Sequence, residues 1–314
     1  MKGPPTPHPQ SLLLPRVQEG PWRLEYPFTS RYMTLPDGIL HYVDEGNGPP
    51  IVLVHGNPTW SFLWRKVISH FQDSFRLIAM DHLGMGLSSR PDPLSYNYRL
   101  ADRILDLGYF LGNLEINYPV RLIAHDWGGP IALSWAMENP HKVHSLVLLN
   151  TGTRLPIGYR LPFSLKAFRT CNALGGFMIK TLGLFNSGFL AKGSLRPLGQ
   201  KAREGYFAPY WTKALRIGVA GFVQDIPLDD KHPSRFTLNA IDKGLASLAK
   251  MPIFLVWGLS DFVFSPPFLY YCKKRLPAAR VLALDNSGHL ALEDEPKKIL
   301  KGLEDFWKGH SPAK

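Results

Sequence analysis

Short apolar runs alternate with helical patterns along most of the chain. The apolar runs predict strands at Ile39–Val43, Ile51–His55, Arg76–Met80, Val120–His125, Val143–Leu149, Ile253–Trp257 and Arg280–Leu284. The stretches between them predict helices at Ser61–Phe71, Leu100–Leu111, Pro130–Glu138, near Pro267–Arg275 and from about Pro296 onwards. Buried strands that alternate with helices are typical of an α/β protein with a mostly parallel, doubly wound sheet.

Residues 151–250 break this rhythm. They contain helical stretches separated by glycine and proline, without the apolar runs of a sheet. We predict that they form a helical cap over the carboxyl ends of the strands, where open α/β sheets bind their ligands. The predicted organisation is a loose, proline-rich arm over residues 1–25, an α/β core formed by residues 26–150 and 251–314, and the cap.

The composition is that of a folded protein without a cysteine-based scaffold. Hydrophobic residues make up 45% and charged residues 19% of the 314 positions, which excludes wholesale disorder. The two cysteines, Cys171 and Cys272, form no CxxC pattern, which excludes a disulfide framework and a cysteine zinc site. We recognise no signal peptide, and no window is apolar enough to span a membrane. We therefore expect a cytoplasmic protein.

Positive charge is concentrated in the predicted cap. The formal net charge is +11, and residues 151–250 hold 15 lysines and arginines against 5 aspartates and glutamates. A solvated basic surface would explain this excess, and so would contact with an anionic membrane surface or an acidic protein partner. Nucleic acid is not expected as a partner, because the basic residues are spread through apolar sequence and no nucleic-acid-binding module is recognisable. Peripheral membrane association is therefore an alternative to a purely cytoplasmic location.

A predicted strand-to-helix turn carries the sharpest chemical signal. The run AHDWGG at 124–129 places small residues two positions before and two positions after Asp126. The same spacing in the Gly-x-Ser-x-Gly elbow holds a nucleophile above the sheet. An aspartate is an anion at neutral pH, so it can attack carbon directly and form an ester that water must then cleave. The alternative is an aspartate that only caps the following helix.

Two further loops supply residues that complete a hydrolytic site. The run NSGH at 286–289 follows the last predicted strand, and its histidine, His289, can activate water against an ester at Asp126. The run GLSD at 258–261 also follows a strand, and Asp261 can fix the tautomer of the histidine. Alone, each is explained by an ordinary surface or turn residue. Together they follow the chain order nucleophile, acid, histidine of elbow enzymes.

A fourth loop, HGNPTW at 55–60, supplies hydrogen-bond donors. The backbone N–H of Asn57 can pair with that of Trp127 to form an oxyanion hole. The Asn57 amide and the Trp127 indole add neutral side-chain donors, which suit a departing anion and do not repel an apolar substrate. An ordinary turn residue is the alternative for Asn57. The sequence shows no clustered metal ligands, and no metal or organic cofactor is expected.

These loops, together with DHLGMGLS at 81–88, resemble the haloalkane dehalogenases of the α/β-hydrolase fold over roughly residues 30–308. The resemblance implies this fold, with a helical cap inserted after the sixth strand. It also implies that Asp126 displaces halide from a small apolar or long-chain alkyl substrate, with Asn57 and Trp127 binding the halide. Water activated by His289 would then hydrolyse the alkyl ester and release an alcohol and a proton.

The position of the acid separates branches of this family. One branch places a glutamate just after the sixth strand, where this chain has Asn150, which cannot ionise. Asp261 is therefore the expected acid. The complete set resembles the third dehalogenase subfamily and also the β-lactone decarboxylases of long-chain olefin biosynthesis, which use the same aspartate and release carbon dioxide. The run GFVQDIPL at 221–228 is more similar to those decarboxylases, so a cis-β-lactone decarboxylase is the near-equal alternative to a dehalogenase.

Two other classes of protein are also open. Epoxide hydrolases resemble the elbow and use two cap tyrosines to protonate the epoxide oxygen, and Tyr159, Tyr206 and Tyr210 lie in the predicted cap. Those enzymes usually carry phenylalanine where Asn57 stands. A non-catalytic receptor built on a hydrolase fold would bind a ligand without turnover, but such a protein has no need of a base such as His289.

Overall fold

A mixed eight-stranded sheet forms the centre of the computed structural model, which describes residue 17 and residues 19–116, 119–154, 156, 162–170 and 183–309. The strands are β1 (Arg31–Leu35), β2 (Gly38–Glu45), β3 (Pro50–Val54), β4 (Arg76–Met80), β5 (Val120–His125), β6 (Val143–Leu149), β7 (Ile253–Gly258) and β8 (Arg280–Leu284). Their order across the sheet is β1-β2-β4-β3-β5-β6-β7-β8. β2 runs antiparallel to β1 and β4, and strands β3 to β8 are parallel to one another, which confirms the predicted α/β sheet.

Every strand predicted from the sequence is present, and one further strand was missed. β3, β5 and β7 are buried along their whole length, as expected of parallel strands that are covered on both faces. The missed strand, β1, lies at the edge of the sheet and exposes several of its residues, including Tyr32. An edge strand of this kind lacks the apolar run that marks a central strand.

Helices connect the strands. Within the described residues they are α1 (Arg65–Phe71), α2 (Leu100–Gly112), α3 (Gly128–Glu138), α4 (Phe163–Thr170), α5 (Leu184–Gly193), α6 (Gln200–Phe207), α7 (Ile217–Gln224), α8 (Pro233–Gly244), α9 (Pro266–Arg275), α10 (Ala291–Asp294) and α11 (Pro296–Lys308). Short 3-10 helices occur at Pro21–Glu25, Ser61–Trp64, Pro140–Lys142, Ala208–Tyr210, Ala214–Arg216 and Leu245–Leu248. The helix predicted over Ser61–Phe71 is therefore a 3-10 turn followed by α1.

The connection between β6 and β7 is helical where the structure describes it. Helices α4 to α8 all fall in this connection, in agreement with an insertion after the sixth strand. α4 packs against α7, and α8 packs against α3 of the sheet-forming part. In the described part of the chain, no helix combines the length and the hydropathy that a bilayer crossing requires. The division into a core and a cap at residues 151 and 250 stays a prediction.

The prediction of a loose arm over residues 1–25 is wrong for its last part. Pro21–Glu25 forms a 3-10 helix, and the Trp22 side chain is only 1% exposed. Its ring packs edge-on against Trp60 and Phe62, with centroid distances of 5.6 and 6.0 Å. A single buried tryptophan produces no periodicity, so the pattern of the sequence could not reveal this contact. Most of the preceding residues lie outside the described part of the chain.

Trp22→Ala should lower the free energy of unfolding by about 3 to 5 kcal/mol, because it removes a large buried ring from the core. Leu24→Ala is the matched control, since Leu24 lies in the same 3-10 helix and is 73% exposed. The control should change the free energy of unfolding by less than about 1 kcal/mol. Urea denaturation followed by circular dichroism measures both values. Equal stability of the two variants would show that the segment is not part of the folded core.

Candidate active site

Loops at one edge of the sheet hold the five residues predicted from the sequence. Asn57 follows β3, Asp126 and Trp127 follow β5, Asp261 follows β7, and His289 follows β8. These strands are parallel, so their carboxyl ends meet at the same edge. The fold therefore brings together side chains that are far apart in the sequence.

Asp126 occupies a tight turn between β5 and α3. Its φ is 53°, in the left-handed region that residues other than glycine rarely adopt. A Cβ on Gly128 would overlap the carbonyl of Val54, and a Cβ on Gly129 would overlap the side chain of Thr151. The Thr151 hydroxyl also donates to the backbone carbonyl of Asp126 at 2.5 Å. The turn has the geometry of the predicted elbow and holds the carboxylate above the sheet.

Two backbone N–H groups bind the Asp126 carboxylate. The N–H of Asn57 donates to Oδ1 at 2.7 Å, and the N–H of Trp127 is a second donor to the carboxylate. Gly56 allows this close approach, because a Cβ at that position would overlap the Asp126 side chain. The two donors form the expected oxyanion pair and would stabilise charge on the carbonyl oxygen of an ester at Asp126.

His289 lies in contact with both aspartates. Its Nδ1 is 2.8 Å from Asp261 Oδ2, and its Nε2 is 3.8 Å from Asp126 Oδ2. The side chains of His289 and Asp261 are fully buried, and Nε2 has no hydrogen-bond partner among the described residues. Asp261 therefore orients the ring so that Nε2 faces Asp126. A base that activates water beside an ester needs this arrangement.

Asn150 makes contacts that the sequence did not reveal. Its Nδ2 donates to Asp261 Oδ2 at 2.8 Å and to the Gly258 carbonyl at 3.0 Å, while its Oδ1 accepts from the Gly258 N–H at 2.9 Å. Asn150 and His289 thus share one oxygen of Asp261. The sequence analysis used this position only to exclude a glutamate. Its location directly after β6 was the one available signal.

Burial is the first cause of the pKa shift of Asp126, and charged neighbours outweigh it at His289. Burial raises the pKa of Asp126 to about 6, although the charge on His289 and the N–H groups of Trp127 and Asn57 oppose the rise. Burial by itself lowers the pKa of His289, but the charge and hydrogen bond of Asp261, together with Asp126, raise it above its ordinary value. Asp126 is therefore mostly ionised, and able to attack, above pH about 6.

Neutral side-chain donors lie beside Asp126. Asn57 and Trp127 both line the cavity in front of Asp126. Asn57 Nδ2 makes one long hydrogen bond, of 3.3 Å, to the Val219 carbonyl, so one of its two N–H groups remains for an anion. The Trp127 ring packs against Phe222 with a centroid distance of 5.7 Å. The site can therefore offer neutral donors to an anion that forms beside Asp126.

The cavity in front of Asp126 has a volume of about 170 Å³ and a mostly apolar lining. The large apolar residues that line it are Leu165, Phe185, Phe189, Val223, Ile226, Leu238, Phe262, Val263, Phe264 and Phe268. Arg154, Lys192 and Arg235 also contribute to the lining. Such a cavity suits a hydrocarbon substrate. Among the described residues, no group of three or more His, Cys, Asp or Glu side chains could hold a metal ion.

The tyrosines considered for epoxide opening are engaged elsewhere. Tyr206 donates its hydroxyl to Glu293 at 2.7 Å, and Tyr210 donates to the Thr59 carbonyl at 3.1 Å. Neither lines the cavity, and Tyr159 lies outside the described residues. Where the structure describes the chain, no tyrosine is placed to protonate an epoxide oxygen in this cavity.

Comparison with known proteins identifies the family. The model of the α/β-hydrolase fold family matches residues 49–296, and the chain belongs to this family. A cis-3-alkyl-4-alkyloxetan-2-one decarboxylase of Shewanella oneidensis is 37% identical over 89% of this chain and 88% of its own length. A protein of the same name from Xanthomonas campestris is 37% identical over 90% of this chain and 96% of its own length. Haloalkane dehalogenase 2 of Mycobacterium tuberculosis is 32% identical, with coverages of 88% and 94%.

Solved structures agree with this assignment. The haloalkane dehalogenase DbeA of Bradyrhizobium elkani matches with a TM-score of 0.81 and 26% identity, over 90% of this chain and 98% of that chain. A putative ancestral haloalkane dehalogenase gives a TM-score of 0.80 and 26% identity, with coverages of 89% and 98%. The chain is therefore an enzyme of the α/β-hydrolase fold, related to dehalogenases and to decarboxylases, as its motifs predict.

The raised pKa of Asp126 predicts how the first chemical step depends on pH. Protonation neutralises the nucleophile, so the rate of the first bromide release from 1-bromobutane should fall as the pH decreases through about 6. Above that value the rate should level off. Rapid-quench measurement of bromide in a single turnover between pH about 5 and about 8 follows this step alone. A rate that stays constant across this range would contradict the raised pKa.

Proposed function

We propose that this enzyme forms a covalent alkyl ester at Asp126. The observation that carries the proposal is the buried Asp126 carboxylate, which accepts hydrogen bonds from two backbone N–H groups and faces an apolar cavity. A carboxylate in this position attacks a saturated carbon without a base to activate it. The neutral donors of Asn57 and Trp127 stabilise the anion that leaves. His289 and Asp261 serve the second step.

A haloalkane would react in two displacements. An oxygen of Asp126 bonds to the carbon while the carbon–halogen bond breaks, and halide departs with the electron pair. His289 Nε2 then takes a proton from water, whose oxygen adds to the ester carbonyl carbon. The N–H groups of Asn57 and Trp127 stabilise the resulting oxyanion. The alcohol leaves with the proton from His289, and Asp126 returns to its carboxylate as the remaining proton passes to solvent.

A cis-β-lactone would use the same nucleophile without water. Asp126 attacks the saturated ring carbon that is bonded to the ring oxygen. The bond between that carbon and the ring oxygen breaks and leaves a free carboxylate within the intermediate. Carbon dioxide then departs, and the electron pair of the broken carbon–carbon bond forms the double bond as the carbon separates from Asp126. The products are an alkene and carbon dioxide. Protonated His289 stabilises the departing Asp126 carboxylate in this route.

We favour the β-lactone as the main substrate. Identity is 37% to the relatives named as oxetan-2-one decarboxylases and 32% to haloalkane dehalogenase 2. The apolar lining suits alkyl substituents, and Arg154, Lys192 and Arg235 add positive charge to a cavity in which ring opening frees a carboxylate. The buried pair of His289 and Asp261 specifically favours haloalkane hydrolysis as a second activity, because only that route needs a base for water.

The proposal extends to the helical segment. Residues 151–250 act as a cap that covers the cavity, and their positive charge brings the enzyme to an anionic membrane surface that holds long-chain substrates. Phe163 is 86% and Phe236 is 65% exposed; Phe163 lies two residues before Leu165 and Phe236 directly after Arg235, and Leu165 and Arg235 line the cavity. An acidic protein partner is the alternative. A cytoplasmic location with peripheral membrane contact stays a prediction.

Parallel assays with 1-bromobutane and a long-chain cis-β-lactone test the choice of substrate. We expect kcat/KM for alkene formation to exceed that for bromide release by about tenfold or more, because the lactone offers the apolar lining more hydrocarbon to bind than 1-bromobutane does. Asp126→Asn should lose both activities, since an amide is a poor nucleophile. Faster bromide release than alkene formation would make the enzyme a dehalogenase. Unchanged activity of Asp126→Asn would rule out the covalent route.

His289→Gln should separate the two chemical steps. With 1-bromobutane the ester forms and is not hydrolysed, so bromide release should stop near one equivalent and the peptide containing Asp126 should gain the mass of a butyl group. Alkene formation should fall less, because it takes no proton from water. His70→Gln is the control, since His70 pairs with Glu304 on the surface, and it should keep both activities. Substrate binding without an adduct in His289→Gln would mean that His289 has another role.

A further inference from the structure

Hydrogen bonds connect the loop that carries His289 to one segment of the predicted cap, both before and after the histidine. The N–H of Leu290 donates to the Gly193 carbonyl at 2.6 Å, directly at the end of α5. The N–H of Gly288 donates to Asp294 Oδ2 at 2.8 Å, and that carboxylate is bound to the residues after α5. The positions of Gly288 and Leu290, on either side of the histidine, are therefore held by bonds that lead to the end of α5 and the residues after it.

Asp294 is the centre of this connection. Its Oδ1 accepts from the Ser194 hydroxyl at 2.6 Å, from the Leu195 N–H at 3.0 Å and from the Arg196 N–H at 3.1 Å. The residue is 1% exposed, so water does not compete for these bonds. A buried carboxylate that binds donors from segments about 100 residues apart cross-links them, and loss of its acceptors leaves buried donors unsatisfied.

The same helix, α5, forms one wall of the cavity. Phe185, Gly188, Phe189 and Lys192 line the cavity, and their spacing places them on one face of the helix. Phe189 also packs edge-on against the His289 ring, with a centroid distance of 4.9 Å. One face of α5 thus meets the substrate and the base, while its carboxyl end holds the loop that carries the base.

We infer that Asp294 is a positioning residue for His289, which it ties to the cavity wall formed by α5. The inference rests on the covalent chemistry proposed at Asp126. Asp294 touches neither substrate nor the reacting atoms, and it acts by holding Gly288. Ester hydrolysis requires His289 Nε2 to be placed against water, whereas ester formation requires only the nucleophile and the donors for the leaving group. Loss of Asp294 should therefore slow the second step and spare the first.

Asp294→Asn tests this with 1-bromobutane as the probe. The amide keeps the size of the side chain but presents N–H groups to donors that need acceptors. The first equivalent of bromide should appear within about twofold of the wild-type rate, and later turnover should slow by about tenfold or more. The butyl group should then accumulate on the peptide that contains Asp126. Ser194→Ala removes a single donor and should produce a smaller change in the same direction, with a stability near that of the wild type.

Glu293→Gln is the matched control. Glu293 is the neighbouring buried carboxylate, but it binds Arg65 at 2.6 Å and Lys66 at 2.7 Å, on α1 rather than on the His289 loop. Glu293→Gln should lower the free energy of unfolding, but it should not slow ester hydrolysis more than ester formation. A parallel loss of both steps in Asp294→Asn, or the same separation in Glu293→Gln, would overturn the positioning role.

Hydrogen exchange provides a readout that does not depend on activity. In Asp294→Asn, amide exchange should increase in peptides covering 286–290 and 193–196, while the elbow at 124–130 stays protected. Unchanged exchange in both peptides would overturn the inference. Failure of the proposed function would look different: wild-type enzyme would form no adduct at Asp126 with bromoalkane or β-lactone, and exchange would still report on the connection.

Discussion

A carboxylate that must keep its charge in an apolar cavity is the constraint on which the rest of the site depends. Burial raises the pKa of Asp126 to about 6, and the nearby charge on His289 and two backbone N–H groups limit that rise. Those N–H groups can reach the carboxylate only because the chain turns at a left-handed φ and because Gly56 has no side chain. The glycine positions, the turn geometry and the charge balance are thus all explained by the need to keep the buried Asp126 carboxylate ionised.

Hydrogen bonds from several segments hold His289 and its loop. Asp261 binds Nδ1 of His289, and Asn150 binds the same Asp261 oxygen from the end of β6. Asp294 and the Gly193 carbonyl hold the loop itself. Reactivity is therefore a property of the assembled fold, because strands β3, β5, β6, β7 and β8 and one helix of the inserted segment each supply part of the arrangement.

The sequence predicts those features that depend on local pattern. Apolar runs located the buried strands, and the loops that follow strand ends pointed to Asp126, Asp261 and His289. The features that the sequence could not reveal depend on contacts between distant segments. The bond from Asn150 to Asp261 joins residues 111 positions apart, and the burial of Trp22 depends on rings supplied by the loop after β3. Neither contact leaves a periodic trace in the sequence.

A single turnover of 1-bromobutane in water labelled with heavy oxygen tests the covalent ester most directly. With enzyme in excess, the account predicts that butanol carries ordinary oxygen, because its oxygen comes from Asp126, and that the peptide containing Asp126 gains the label. Mass spectrometry measures both. Labelled butanol together with an unlabelled Asp126 peptide would mean that water attacks the substrate directly, and would contradict the account.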